Sequence, residues 1–420
     1  MNKAVIKKWL LDRRVMAGLY VILGIVSAVA KIAPDRHNNF DIFRYVFYNT
    51  WQGTSLYAES VDGGYWDLNH YGPFFSLIIA PFAVVPVWVG MILWCTCLAA
   101  FLFWAISRFC SLPSIPDDKR ALLLPLLIWF CAHEMLTALF MQQFNVAIAA
   151  IVLLSFYFVE KERDEYATLF IVIGTLVKLY GIVGLAFFFF SRHKFKYIVS
   201  LILWSVVLFC LPMLISSPEY QTGQYHEWFT CLGGKNADNE LNIGTNISLL
   251  GIIRKWGYVA SVGFTTGVVA IRDQAGIDRS NWWVTSFSDI WVILAGMIAM
   301  AIGYFRLNQW KNLDFRMTVV AAVLMFICLF STGSESSGYI IALVGCAIWY
   351  AAVPWRRNGW DVALMVFAFI LTSLSPSDLF PSYIRHNFVQ PLALKALPVV
   401  LIWLKLVYEL ITKDYKEARR

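Results

Sequence analysis

Residues 87–107 read VWVGMILWCTCLAAFLFWAIS, a run of 21 residues without a single charge. As a helix it extends about 31 Å, which matches the roughly 30 Å hydrocarbon core of a bilayer. Outward from it, similar runs recur at residues 15–33, 121–141, 145–159, 197–215, 289–305, 318–330, 339–353, 362–374 and 392–411. The apolar block at residues 167–190 is interrupted by Lys178-Leu179-Tyr180 and Gly181. Basic residues flank it on both sides (Lys161 and Arg163; Arg192, Lys194 and Lys196), so it reads as two short helices running out and back. The expectation is an all-α polytopic membrane protein of about 12 transmembrane helices, a single integral-membrane domain over residues 1–420, with residues 289–420 as its C-terminal helices.

Composition agrees. Of 420 residues 59% are apolar, 16% aromatic and only 15% charged. That is too few charges to cover a soluble surface, which excludes a soluble enzyme, a disordered chain and a coiled coil. The net charge of +7 is explained by topology rather than by nucleic acid, because 22 of the 34 Lys and Arg fall on segments expected to be cytoplasmic. Only eight fall on the longer external segments, so both termini are expected in the cytoplasm. The basic start, with Lys3, Lys7, Lys8, Arg13 and Arg14, resembles a signal peptide and is read as an uncleaved first helix. The eight cysteines lie mostly in apolar runs, and only Cys231 lies in a long external segment, so no external disulfide framework is expected.

Two external segments are long: residues 34–86, with 53 residues, and residues 216–288, with 73. The first holds PDRHNNFDIFRYVFYNTWQGTSLYAESVDGGYWDLNHYGPFF over residues 34–75. Spacings of three and four place Asp41, Arg44, Tyr45 and Tyr48 on one helical face, ionic and aromatic, suited to a sugar. The bland alternative is an interfacial helix N-capped by Asp41 and held by headgroup aromatics. In the second segment, residues 258–271 are too short to span and read as an interfacial or re-entrant helix.

The order of certain elements carries a resemblance. Asp41 just after the first span is followed by a Gly-x-x-Leu-Tyr turn at Gly53–Tyr57 and by Tyr71-Gly72-Pro73. Gln143-Phe144-Asn145, Lys178-Leu179-Tyr180 and Asn246-Ile247-Ser248-Leu249 come next. In this order the chain resembles the GT-C superfamily of membrane glycosyltransferases, most closely the polyprenol-phosphate-mannose-dependent α-mannosyltransferases.

The resemblance implies Asp41 as catalytic base, deprotonating an acceptor hydroxyl while a lipid-linked phosphate departs with inversion. Metal-dependent relatives carry paired first-loop acids. Here Asp35 and Asp41 are six apart, Asp62 and Asp67 five apart, and no Asp-x-Asp occurs, so the resemblance implies no cofactor and a metal-independent enzyme. Protein cations would then stabilise the leaving phosphate. The candidates are Lys178, Arg385 and His386, with His37, Arg44, His70 and His226 behind them. Lys178 interrupts an apolar block, where an ionisable residue is either functional or snorkelling to the interface.

Substrate-binding candidates are Arg44, Tyr45, Tyr71, Gln143, Asn145 and Glu335, the last in a small-residue turn at residues 331–338. Trp51, Tyr57, Tyr65 and Trp66 read more simply as an interfacial belt. Glu134, inside its span, is expected either to pair with Lys178 or to meet substrate. The expected partners are a polyprenyl-phosphate sugar donor, a glycolipid or glycan acceptor and membrane lipids. The site would face the external side of the cell inner membrane. Two other classes remain open. An undecaprenyl-linked polysaccharide polymerase or ligase would carry more Arg and His in residues 216–288, and a lipid or solute transporter would carry more intramembrane charges and show repeat symmetry.

Overall fold

The computed structural model describes residues 8–33, 36–60 and 64–416, without the side chains of residues 236–238. Asp35, Asp62, Lys3 and Lys7 lie outside the described residues. Among the described residues the secondary structure is entirely helical. The chain forms two compact units, one of Met1–Pro113 and Ala138–Gly234, the other of Ser114–Thr137 and Lys235–Arg420.

In the first unit the central element is the helix Asn145–Glu160, buried on nearly every face. A helix apolar all round belongs in a core. The helices Arg13–Val29, Val87–Cys110 and Asp164–Lys178 belong to the same unit. Gly24 allows the first to approach Val87–Cys110, since a Cβ there would sit 2.8 Å from the Thr96 Cα. Lys194–Leu214 carries exposed Ile198, Val199, Ile202, Leu203 and Val206 in a row on its outer face, the pattern of a helix solvated by lipid.

The second unit is centred on the helices Leu313–Leu329 and Tyr339–Ala352, both buried almost throughout. Gly345 lets them pack backbone to backbone, with a Cβ there only 2.8 Å from the Ala321 carbonyl oxygen. A buried network tethers the end of this core. Arg357 stacks on Trp349 at 4.1 Å and donates to Glu409 at 2.8 Å, while Trp349 Nε1 donates to the other Glu409 oxygen, also at 2.8 Å. Buried carboxylate and guanidinium satisfy one another here.

The expected apolar runs all fold as helices, with differences. Three helices, Val87–Cys110, Asp117–Phe140 and Lys194–Leu214, are long and apolar enough among the described residues to cross a membrane. Others are shorter than these three. Tyr339–Ala352 has 14 residues, a length of about 21 Å as a helix. The block at residues 167–190 does break where its Lys178-Leu179-Tyr180 interruption lies. A helix ends at Lys178, Leu179 turns left-handed at φ 54°, and a 3-10 segment Tyr180–Phe190 follows.

The expected single run at residues 258–271 is instead split. Leu249–Val262 and Phe264–Asp273 meet at Gly263, whose φ of +94° suits only glycine. Two further helices were hidden by weak patterning: Phe75–Ala83, with a proline inside it, and Pro218–Asp238, polar along its length.

Candidate functional site

Asp41 lies in the first turn of the helix Asn38–Gln52. His37 lies one turn before it, and their side chains meet at 2.6 Å between Nδ1 and Oδ2. Burial raises the Asp41 pKa above its ordinary value, and the bond and charge of His37 pull it part of the way back. Phe40, Phe43 and Val46 bury the opposite face and fix the helix. Asn38 exchanges two hydrogen bonds with the Trp66 backbone, and Asn39 donates to the Met141 carbonyl at 2.9 Å. The carboxylate is therefore half-buried on a rigid element.

The polar face expected of this helix divides. Arg44 and Tyr48 both donate to the carbonyl of Ala83, the last residue of Phe75–Ala83, at 3.3 and 2.8 Å. They close a helix C-terminus, where the orphan carbonyl and the dipole favour donors and cations. Tyr45 packs edge-on against Tyr65 at 5.0 Å, with Gly64 beneath its ring.

A second cluster forms where three sequence elements converge. Lys178 Nζ donates to Asn145 Oδ1 at 2.8 Å and lies 5.3 Å from the centre of the Tyr71 ring and 5.5 Å from that of Tyr180. Asn145 Nδ2 in turn donates to Gln143 Oε1 at 2.7 Å. The Tyr71 hydroxyl accepts from the Phe144 amide at 3.0 Å, and its ring stacks on Phe43 at 4.8 Å. Phe43 belongs to the Asp41 helix, so the two clusters share one aromatic core.

Gly72 makes this convergence possible. Its amide donates to the Val177 carbonyl, and a Cβ there would overlap the Leu176 carbonyl oxygen and reach within 2.9 Å of the Trp228 ring. The first loop is also strapped down by Pro218–Asp238. Ser55 donates to Glu227 at 2.6 Å, Leu56 N to Gln224 at 2.7 Å and Trp228 Nε1 to the His70 carbonyl at 2.9 Å. Cys231 Sγ lies 3.6 Å from the Asn69 carbonyl. Sequence reading took only His226 from this helix, as a reserve cation, and missed its holding role, because scattered polar residues rather than an apolar stripe do the holding.

Three turns of the motif series carry a non-glycine residue in the left-handed region: Gln142 at φ 50°, Leu179 at 54° and Asn246 at 50°. Such backbone costs about 1–2 kcal/mol for an L-residue. It persists where surrounding structure holds it, often at a functional site.

The remaining candidates lie in the second unit. Glu134 is paired with Lys395 at 2.7 Å, correcting the expected partner Lys178. Lys395 also donates to the carbonyl and hydroxyl of Ser336, next to Glu335, at 2.8 and 2.9 Å. Lys395 is thus a buried cross-link of the turn that carries Glu335. Glu335 itself opens the 3-10 turn Ser336–Gly338, with its carbonyl accepting from the Gly338 amide at 3.0 Å. Arg385 donates within its own loop, to the Pro376 and Ser377 carbonyls and to Asp378. His386 pairs with Gln390 at 2.9 Å. Neither bonds Lys395.

No curated protein matches the chain. Its residues 69–332 match the family model of Glycosyltransferase family 87, a stretch that takes in Tyr71, Gln143, Asn145, Lys178 and the Asn246 turn. The chain belongs to that family of GT-C-like membrane glycosyltransferases, and transfers a glycosyl group from a sugar donor to an acceptor.

Proposed function

We infer that the protein is an inverting hexosyltransferase, moving mannose from a polyprenyl-phosphate donor to a glycolipid or glycan acceptor, with Asp41 as general base. The observation that carries this reading is the half-buried Asp41 carboxylate, held by His37 on a helix whose Phe43 stacks on Tyr71 beneath Lys178. The carboxylate takes the proton of an acceptor hydroxyl as that oxygen attacks the anomeric carbon. The bond to phosphate breaks on the opposite face, and the phosphate keeps the bonding pair and remains on the lipid.

Each residue then has a physical task. Burial makes Asp41 a stronger base than a solvated aspartate, and a positioned base contributes roughly 10²–10⁴-fold. Lys178, oriented by Asn145 and by the rings of Tyr71 and Tyr180, supplies positive charge to the departing phosphate. Gln143, through Asn145, holds that lysine in place. Tyr45 with Tyr65 offers aromatic faces for a sugar ring. The reaction needs no metal ion in this account, and the active face is the external one of the inner membrane.

The test is transfer by the purified protein from a panel of radiolabelled polyprenyl-phosphate sugars, with and without chelator. Transfer from the mannosyl lipid that survives chelation supports the reading. Transfer only from a nucleotide sugar, or only with a divalent ion, overturns it.

A further inference from the structure

Outside the residues discussed so far, one buried cation stands without a counter-charge among the described residues. Lys255 lies in the helix Leu249–Val262 and is fully buried. Its ammonium makes one hydrogen bond, to the Thr245 carbonyl at 3.2 Å, among the described residues. An ammonium has three donors. The neighbouring Arg254 is arranged differently, with carbonyls of Trp283, Val284 and Phe287 and the carboxylate of Asp289 around it.

A second donor, Thr245 Oγ1, belongs to the residue whose carbonyl Lys255 meets, and it is buried and lacks a partner among the described residues. Burying one such group unsatisfied is already costly, and two on adjoining residues of one turn and helix mark a place where an acceptor belongs. The turn itself is rigid. Asn246 is left-handed, Ser248 caps the helix by accepting from the Gly251 amide, and Tyr339 donates to the Ile247 carbonyl at 2.7 Å.

We propose that Lys255, with Thr245 Oγ1, forms an anion site for a phosphate ester, the phosphate of a lipid-linked sugar or of a membrane phospholipid. Its chemistry is fixed by what is present. Both groups can donate, and burial alone pushes the lysine down to about 7, with no carboxylate among the described residues to hold its proton. A phosphate brings the missing negative charge and several acceptor oxygens. Assignment to the donor lipid rests on the proposed function, and assignment to a phospholipid does not.

The experiment uses the full-length purified protein and measures its thermal stabilisation by undecaprenyl phosphate, by phosphatidylglycerol and by inorganic phosphate. The variants are Lys255→Met and Thr245→Val. We expect Lys255→Met to fold with an unchanged or higher Tm, since it removes an uncompensated charge, while losing at least tenfold in affinity for the phosphate lipid. Thr245→Val should lose a smaller factor.

Stabilisation by undecaprenyl phosphate alone assigns the donor, and stabilisation by phosphatidylglycerol assigns the bilayer. Unchanged affinity in both variants overturns the site. If Lys255→Met fails to fold, Thr245→Val decides. Asp41→Asn separates the two claims, because it should bind phosphate lipid normally whether or not transfer persists.

Discussion

His37 Nδ1 lies 2.6 Å from Asp41 Oδ2, one helical turn apart, with both side chains partly buried. This contact sets the protonation of the proposed base. Burial raises the Asp41 pKa, and His37 opposes the rise. Only the deprotonated carboxylate accepts a proton, so kcat/KM should fall as pH drops through a value above the ordinary 3.8 of aspartate. His37→Gln removes the opposing influence, so the acid limb should move to higher pH. A pH–rate profile of the two proteins measures this, and a limb that stays put or moves down contradicts the role of His37.

Lys178 should matter through its charge. Lys178→Met keeps the length of the side chain and its packing against Tyr71 but removes the ammonium. Transfer should fall about 10²–10³-fold, the cost of one missing transition-state donor. Near-normal kcat in a folded Lys178→Met protein would remove this residue from the mechanism.

Gly72 is a packing requirement. Gly72→Ala forces a methyl group against the Leu176 carbonyl and Trp228, at a cost of about 1–3 kcal/mol. The loop should lift, lengthening the Tyr71–Lys178 contact. Tm should fall and transfer with it, while Gly223→Ala, whose added Cβ meets nothing within 4 Å, should leave both unchanged.

The Glu134–Lys395 pair gives a stability prediction. Glu134 is fully buried and Lys395 nearly so. Lys395→Met alone leaves a buried carboxylate unpaired and should cost about 3–5 kcal/mol. Glu134→Gln combined with Lys395→Met should recover most of that loss. Denaturation of the single and double variants measures the coupling, and additive losses would show that the two do not act as a pair.

Much of the helix content was legible in the sequence because apolar runs between basic loops can hardly be anything else. The break after Lys178 was legible too, since a charge and a glycine interrupt an apolar block. Phe75–Ala83 was hidden by Pro81, and Pro218–Asp238 by its polarity. The site was readable as residue types but not as pairings. Asp41, Tyr71, Asn145 and Lys178 stood out singly, yet the Asn145–Lys178 bond links residues 33 apart, and the Ser55–Glu227 bond residues 172 apart. Local spacing says nothing about such partners. The same limit hid the partner of Glu134, since Lys395 lies 261 residues away and Lys178 was the pairing the sequence offered. Arg44 shared a helical face with Asp41 as expected, but its donors are taken by the Ala83 carbonyl, which only tertiary structure could reveal.

The central claim is that Asp41 is the base. Its most direct test is the transfer rate of Asp41→Asn with saturating polyprenyl-phosphate mannose and acceptor, alongside Tm and phosphate-lipid binding. Asparagine fits the same half-buried space without a charge, so fold and binding should be kept while kcat falls by at least about 10²-fold. An Asp41→Asn protein that folds, binds and transfers at the unmutated rate would contradict the account.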